Sequence, residues 1–264
     1  MNLERRLEEI SAILIRAGKE IIMPAYESSV QTMRKADGSI VTETDLACQH
    51  YIEKELAKID SDIGFLGEEM SEAEQLACLN RKNATFWCLD PLDGTTNFTT
   101  SFPGFAISLA LIRNGKVELG CTHDPVRGEI FTASVGGGAF LNGKPIRCTD
   151  EQELCNSVGF IDFKRLKKET ATRFATEKLY RSQRNVGSCA LEWAWLAAGR
   201  GQFIIHGGEK VWDFAAGSLI ASEAGCSIGD FSGNALFPAS SLSSPILATC
   251  TASVQEKLKQ QLTR

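Results

Sequence analysis

The stretch Trp87-Cys88-Leu89-Asp90-Pro91-Leu92-Asp93-Gly94-Thr95-Thr96-Asn97-Phe98 constrains the chain more than any other. The apolar run at 86–89 reads as a short buried strand. Two aspartates three residues apart follow, and Pro91 between them fixes the backbone φ. Asp93-Gly94 then demands a turn, with two hydroxyl residues behind it. Such a strand end aims paired carboxylates at a divalent cation. A helix starting just after it would offer free N–H groups to a phosphate. Taken alone, the same residues also suit an ordinary Asp-Pro-x-Asp-Gly turn. Glu68-Glu69 upstream and Trp212-Asp213 downstream favour the first reading, because they add carboxylates at further strand and helix ends.

Bulk properties narrow the class. The 264 residues suit one domain, or two fused lobes over about 1–148 and 149–264, with a sizeable core. A hydrophobic content of 43% and a charged content of 23% are ordinary for a globular protein. A net charge of −5 argues against nucleic acid or an anionic membrane as the main partner. Nine cysteines are present without a C-x-x-C pair, mostly amid apolar neighbours, so buried reduced thiols and a cytoplasmic setting are expected. No run approaches ~20 apolar residues, as a membrane span would need.

Along the chain, apolar spacing predicts an amphipathic helix over 3–26. A hairpin is expected around 30–41, turning at Asp37-Gly38. Thr42-Glu43-Thr44-Asp45 then opens a second helix, and Thr42 with Asp45 fits a capping box. A buried strand over 63–66 leads to Gly67-Glu68-Glu69, and 70–85 is a loop or short helix. Strands over 105–112, 116–121, 129–133 and 139–141, with turns at Asn114-Gly115, Arg127-Gly128 and Asn142-Gly143, make an antiparallel meander. After about residue 148 strands alternate with helices: strands at 158–161, 184–186, 202–206 and 246–249, helices at 164–179, 188–198 and 213–224, and a last helix around 254–262. Gly225 stands where a helix C-cap glycine belongs. The fold class is therefore layered α/β, with a mostly antiparallel N-terminal lobe and a C-terminal α/β lobe.

Glu68, Asp90, Asp93 and Asp213 each fall where a strand ends or a helix begins. Such ends gather on one edge of a layered α/β protein. Crowded carboxylates repel one another and raise their own pKa values unless cations neutralise them. An all-oxygen set favours Mg2+ or a similar hard ion over zinc. With three histidines in the chain, neither a His-rich zinc site nor a Ser-His-Asp triad assembles from their surroundings. The plainer alternatives are that Asp213 is an N-cap and Glu68-Glu69 are solvated loop charges.

Gly67-Glu68-Glu69, Asp90-Pro91-Leu92-Asp93-Gly94-Thr95-Thr96-Asn97-Phe98 and Trp212-Asp213-Phe214-Ala215-Ala216-Gly217, with Glu223-Ala224-Gly225, resemble the inositol monophosphatase family. Lys35-x-Asp37-Gly38-Ser39-x-Val41-Thr42-x-x-Asp45 looks like its N-terminal block, and Gly187-Ser188-x-Ala190-Leu191 with Gly199-Arg200 match its C-terminal lobe. The resemblance covers nearly the whole chain in order. It implies an αβαβα sandwich, usually a homodimer, acting as a Mg2+-dependent and often lithium-sensitive phosphatase. Glu68, Asp90 and the Leu92 carbonyl would hold one metal; Asp90, Asp93 and Asp213 a second; Glu68, through water, a third. Glu68, Thr95 and Asp45 would carry the catalytic roles, with Thr95 orienting the attacking water and Asp45 its hydrogen-bond partner. Leu92, Asp93, Gly94, Thr95, Gly187, Ser188, Cys189, His206 and Asp213 would meet the substrate.

The expected reaction is hydrolysis of a small phosphate such as inositol 1-phosphate. Relatives acting as 3′(2′),5′-bisphosphate nucleotidase, histidinol-phosphatase or fructose-bisphosphatase share the scaffold, and a binding or regulatory module with weak turnover is the alternative of another class. Thr96-Asn97-Phe98 resembles the inositol branch. Counting back from Trp212-Asp213, however, the family's ring-binding Glu falls on His206, a small apolar position falls on Cys189, and a usual Asp on Gln202. If His206 faces the substrate, it should move preference away from inositol 1-phosphate; otherwise it simply ends a strand.

Overall fold

The computed structural model describes residues 3–28, 32–34, 40–81 and 84–263. Helix α1 (Leu3–Ala17) continues through a π-helical turn, Gly18–Ile22, into α2 (Met23–Tyr26). The widened turn falls just ahead of Pro24, which has no N–H to close an α-helical bond. Strands β1 (Thr32–Arg34) and β2 (Ile40–Thr42) pair antiparallel, as the hairpin reading expects. The Asp37-Gly38 turn, with Lys35 and Ser39, lies outside the described residues. Helix α3 (Glu43–Ile59) begins with the anticipated capping box of Thr42 and Asp45.

Strand β3 (Gly64–Gly67), α4 (Glu72–Leu79), β4 (Thr85–Asp93) and α5 (Thr95–Thr99) lead into a meander. It comprises β5 (Ala106–Arg113), β6 (Lys116–Asp124), β7 (Glu129–Ser134), β8 (Gly138–Leu141) and β9 (Lys144–Ile146). These form one sheet in the order β3-β4-β5-β6-β7-β8-β9, antiparallel except for the parallel pair β3–β4. The second half adds β10 (Val158–Asp162), α6 (Lys168–Thr176), β11 (Ser182–Arg184), α7 (Cys189–Ala197), β12 (Phe203–Lys210), α8 (Val211–Glu223), β13 (Ser227–Gly229), β14 (Ser243–Thr249) and α9 (Ala252–Leu262). Its mixed sheet runs β11-β10-β12-β14-β13. β9 and β13 escape the sequence reading because three residues are too few to show a period. β12 runs four residues beyond its expected end, through Gly207 and Gly208, which read as a loop in sequence.

Residue alternation along the strands sorts the cores into layers. Trp87, Leu89, Ile107, Leu109 and Leu111 pack against Ile10 and Leu14 of α1 and Ile52 and Leu56 of α3. The opposite face of that sheet, Phe86, Cys88, Ala110 and Ile112, meets Trp193 of α7 and Ala215, Ala216 and Leu219 of α8. The same core reaches Phe160, Ile204, Ile246 and Ala248 of the second sheet. Ile161, Phe203, Ile205 and Leu247, on that sheet's far face, pack on Phe174 of α6 and Val254 and Leu258 of α9. The order helix, sheet, helix, sheet, helix is the αβαβα arrangement. Close approach of α8 to the first sheet depends on Gly120, where an added Cβ would lie 2.6 Å from the Ala216 carbonyl oxygen. All nine cysteines are free thiols. Among the described residues no helix is long and apolar enough to cross a membrane.

Candidate active site

The end of β4 is bent by one extra residue. Asp90 pairs with Ser108 and Asp93 with Ala106, so three steps on β4 match two on β5. Pro91 sits inside this bulge, where a missing N–H is tolerated. Asp90 Oδ1 accepts the Leu92 N–H at 3.0 Å, which fixes the carboxylate at the strand end. Gly94, at φ 95°, then turns the chain into α5, and a Cβ there would lie 2.8 Å from the Gly104 carbonyl oxygen. Gly94→Ala is therefore expected to destabilise the fold by about 1–3 kcal/mol. Chemical denaturation measures it; a loss under about 0.5 kcal/mol, the surface-substitution range, would show that this turn relaxes freely.

Asp90, Asp93 and Asp213 place carboxylate oxygens within 4.8 Å of one another. Asp93 Oδ2 accepts both the Ser188 hydroxyl and the Ala190 N–H at 2.6 Å, tying β4 to the start of α7. Asp213 is the third residue of α8 rather than its cap, and its Oδ2 accepts the Lys210 N–H at 3.2 Å. Capping and facing the cluster are thus compatible roles. Glu68 follows β3: its N–H donates to the Leu89 carbonyl at 3.1 Å, and its own carbonyl accepts from Gln75 Nε2 at 3.0 Å. Glu68, Asp90, Leu92, Asp93, Gly94, Thr95 and Asp213 line one cleft of about 530 Å³, with Lys210 and Trp212 on its wall.

Electrostatics mark this cluster as short of positive charge. Burial, then the charges of Glu68, Asp93 and Asp213, push the Asp90 carboxyl far above the usual range. Burial likewise raises Asp213, with Asp93, Glu68 and Glu209 adding to it. Asp93 is pushed up to about 6 by burial, against the lowering effect of its bonds from Ser188 and Ala190. Buried Glu192 and Glu209 nearby both rise to about 8, again through burial first. The donors are oxygen throughout, so the residues fit a hard divalent cation.

A pH dependence follows. With folded values raised above the unfolded carboxylate range, the metal-free protein binds more protons folded than unfolded, and stability is lost as pH rises through about 6 and then 8. The melting temperature of the metal-free protein is expected to fall between about pH 5 and pH 8, and a divalent cation should restore it at the upper end. A melting temperature that climbs across this window, or is indifferent to cations at the upper end, contradicts the charge assignment.

Beside the cluster, Asp45 divides its two oxygens. Oδ2 accepts from the Thr42 N–H at 2.8 Å and the Thr42 hydroxyl at 2.5 Å, which makes the helix cap. Oδ1 accepts the Thr95 hydroxyl at 3.1 Å. The structural and the chemical readings of Asp45 therefore hold together, one per oxygen. Thr95 Oγ1 also lies 3.1 Å from the Leu92 carbonyl.

The remaining expected substrate residues lie around the start of α7 and on β12. Ser188 caps α7 while donating to Asp93, and Cys189 begins that helix. Gly187 precedes them at φ 75°, beside Asn97, whose side chain donates to the Gly104 and Val186 carbonyls at 2.6 and 2.7 Å. His206 is buried on β12, with Nε2 3.3 Å from Asp162 Oδ2 and Nδ1 accepting the Gly208 N–H at 3.1 Å. Gln202 accepts the Val158 N–H at 2.8 Å and so joins two strands. Among the described residues, Gly187, Ser188, Cys189 and His206 are not part of the wall of the 530 Å³ cleft. Lys210, Gln75 and Glu209 escaped the sequence reading. Lys210 carried a usable signal, a cation three residues before Asp213.

A five-layer αβαβα fold with an oxygen-rich carboxylate cluster at the end of a bulged strand defines a class of phosphatases. The inositol monophosphatase family model matches residues 4–264, and the chain belongs to that family. It is 36% identical to inositol monophosphatase 1 of Solanum lycopersicum over 238 residues, 86% of each chain. It is 35% identical to the Nus factor SuhB of Escherichia coli K12 over 231 residues, 84% of this chain and 85% of that one. The solved structure of a Thermotoga maritima inositol monophosphatase superposes with a TM-score of 0.86 at 31% identity, covering 98% of this chain and 97% of that one.

Proposed function

We propose that the chain is a Mg2+-dependent phosphomonoesterase that hydrolyses a small polyol phosphate, inositol 1-phosphate being the representative substrate. The observation that carries this reading is that Asp90, Asp93 and Asp213 converge in one cleft with the Thr95–Asp45 pair. Glu68, Asp90 and the Leu92 carbonyl would hold one ion, and Asp90, Asp93 and Asp213 a second. Bound there, the ions would supply Lewis acidity that acidifies a water and neutralises the phosphate and departing alkoxide. Thr95 donates its hydroxyl proton to Asp45, which leaves its lone pairs to accept a hydrogen from that water and orient it. The first N–H groups of α5 have no partner within the helix and suit phosphate oxygens. Lys210 is the one cation among the described residues of the cleft wall, and draws the phosphate inward.

A second reading, a regulatory module with slow turnover, is favoured by the similarity to a Nus factor. Turnover separates the two. Inositol 1-phosphate, a 3′,5′-bisphosphonucleoside, fructose 1,6-bisphosphate and histidinol phosphate are compared by kcat/KM at saturating Mg2+. The proposal expects the polyol monophosphate to lead with kcat/KM of at least about 10⁴ M⁻¹s⁻¹, the low end for enzymes. Uniformly poor turnover across the panel supports the regulatory reading.

A further inference from the structure

A second group of metal-ligating side chains lies beside the carboxylate cluster. Cys189 opens α7, while His206 and Glu209 belong to β12. Residues three apart on a regular strand point to opposite faces. The pairing of β12 with β14 shifts register between His206 and Glu209, which allows the two to converge. One ligand atom of each of the three residues lies within 4.8 Å of the others.

The surroundings are those of a cation site. Glu209 is 0% exposed; its Oε2 accepts the Trp193 indole N–H at 2.7 Å, but its buried Oε1 has no hydrogen-bond partner. A buried carboxyl with an unpartnered oxygen stays protonated up to about pH 8 in the metal-free protein, and a cation bound there would take the place of that proton. His206 has Asp162 at 3.3 Å from Nε2, and its Nδ1 accepts a backbone N–H. That arrangement assigns the proton to Nε2 and the lone pair to Nδ1, the carboxylate–imidazole pairing that orients metal-binding histidines. Cys189 adds a sulfur donor. Sulfur, nitrogen and oxygen together suit a tetrahedral zinc-class ion, whereas Mg2+ takes oxygen.

We propose that Cys189, His206 and Glu209 bind one zinc-class divalent ion at a site separate from the Asp90, Asp93 and Asp213 cluster. Binding releases the Cys189 thiol proton and, below about pH 8, the Glu209 carboxyl proton to solvent, and His206 exchanges its bond from the Gly208 N–H for the metal. Bonds of about 2.0–2.3 Å set ligand separations of roughly 3.3–3.8 Å, reached from the observed spacing by side-chain rotation. A fourth position remains for water.

The full-length protein, stripped of metal and then saturated with Mg2+, is titrated with Co2+ and afterwards with Zn2+. One equivalent of Co2+ per chain is expected to give tetrahedral d–d bands and a thiolate-to-cobalt charge-transfer band, both erased by Zn2+ and not by excess Mg2+. Cys189→Ser should abolish the charge-transfer band. His206→Gln and Glu209→Gln should each weaken Co2+ binding by at least about tenfold. Cys155→Ser, at an exposed thiol, should change neither the band nor the affinity. The proposal is overturned if the wild-type protein gives no charge-transfer band. It is equally overturned if the band survives in Cys189→Ser, or if both His206→Gln and Glu209→Gln bind Co2+ as the wild type does.

Discussion

Asp213→Asn is expected to lower phosphate release by about 10³-fold or more, a loss of at least ~4 kcal/mol of transition-state stabilisation, while leaving the fold intact. The asparagine oxygen can still accept the Lys210 N–H that Asp213 Oδ2 accepts at 3.2 Å, so the start of α8 keeps its cap. What disappears is a negative charge. Asp213 is held far above its ordinary pKa by burial and by Asp93, Glu68 and Glu209, so removing the charge relieves repulsion in the metal-free protein. The variant's metal-free melting temperature should therefore equal or exceed that of the wild type, and Mg2+ should raise it less. Near-normal turnover at saturating Mg2+ would refute the role of Asp213. A metal-free melting temperature well below the wild type would instead show that the charge stabilises the fold.

Thr95→Ala carries the second large effect. Its hydroxyl lies 3.1 Å from Asp45 Oδ1, and the proposed role is to orient water, not to hold substrate. Loss of a positioned proton-transfer group lowers kcat by about 10²–10⁴-fold with little change in KM. Thr95→Ser, which keeps the oxygen, should recover most of the rate. A raised KM with kcat preserved would make Thr95 a binding residue. Asp45 cannot be tested as cleanly, because its other oxygen caps α3 and substitution there removes both functions.

Much of this was legible in the residues because the motifs are local. Asp90-Pro91-Leu92-Asp93-Gly94 announces a strand end followed by a turn, and the strand does end at Asp93 with Gly94 turning the chain at φ 95°. The capping box at Thr42 and the left-handed Gly225 just after the α8 C-cap are likewise written within a few residues. The αβαβα order came from resemblance to a family, since periodicity alone gives elements and not their stacking. What stayed hidden was long-range. The ungapped count to His206 identified an unusual residue but could not show that a strand and its partner Asp162 would bury it. Glu209 was passed over because the register shift that brings it toward His206 belongs to the pairing of β12 with β14, which no single segment encodes. Ser188 read as a substrate residue, and the structure ties its hydroxyl to Asp93.

The central claim is that the carboxylate cluster works only when a divalent cation occupies it. The direct measurement is phosphate release from inositol 1-phosphate by chelator-stripped protein, before and after Mg2+ is returned. The account expects no release above the uncatalysed rate in the stripped protein, and full recovery that saturates with Mg2+ and disappears in Asp213→Asn. Turnover that persists undiminished without any divalent cation would contradict it.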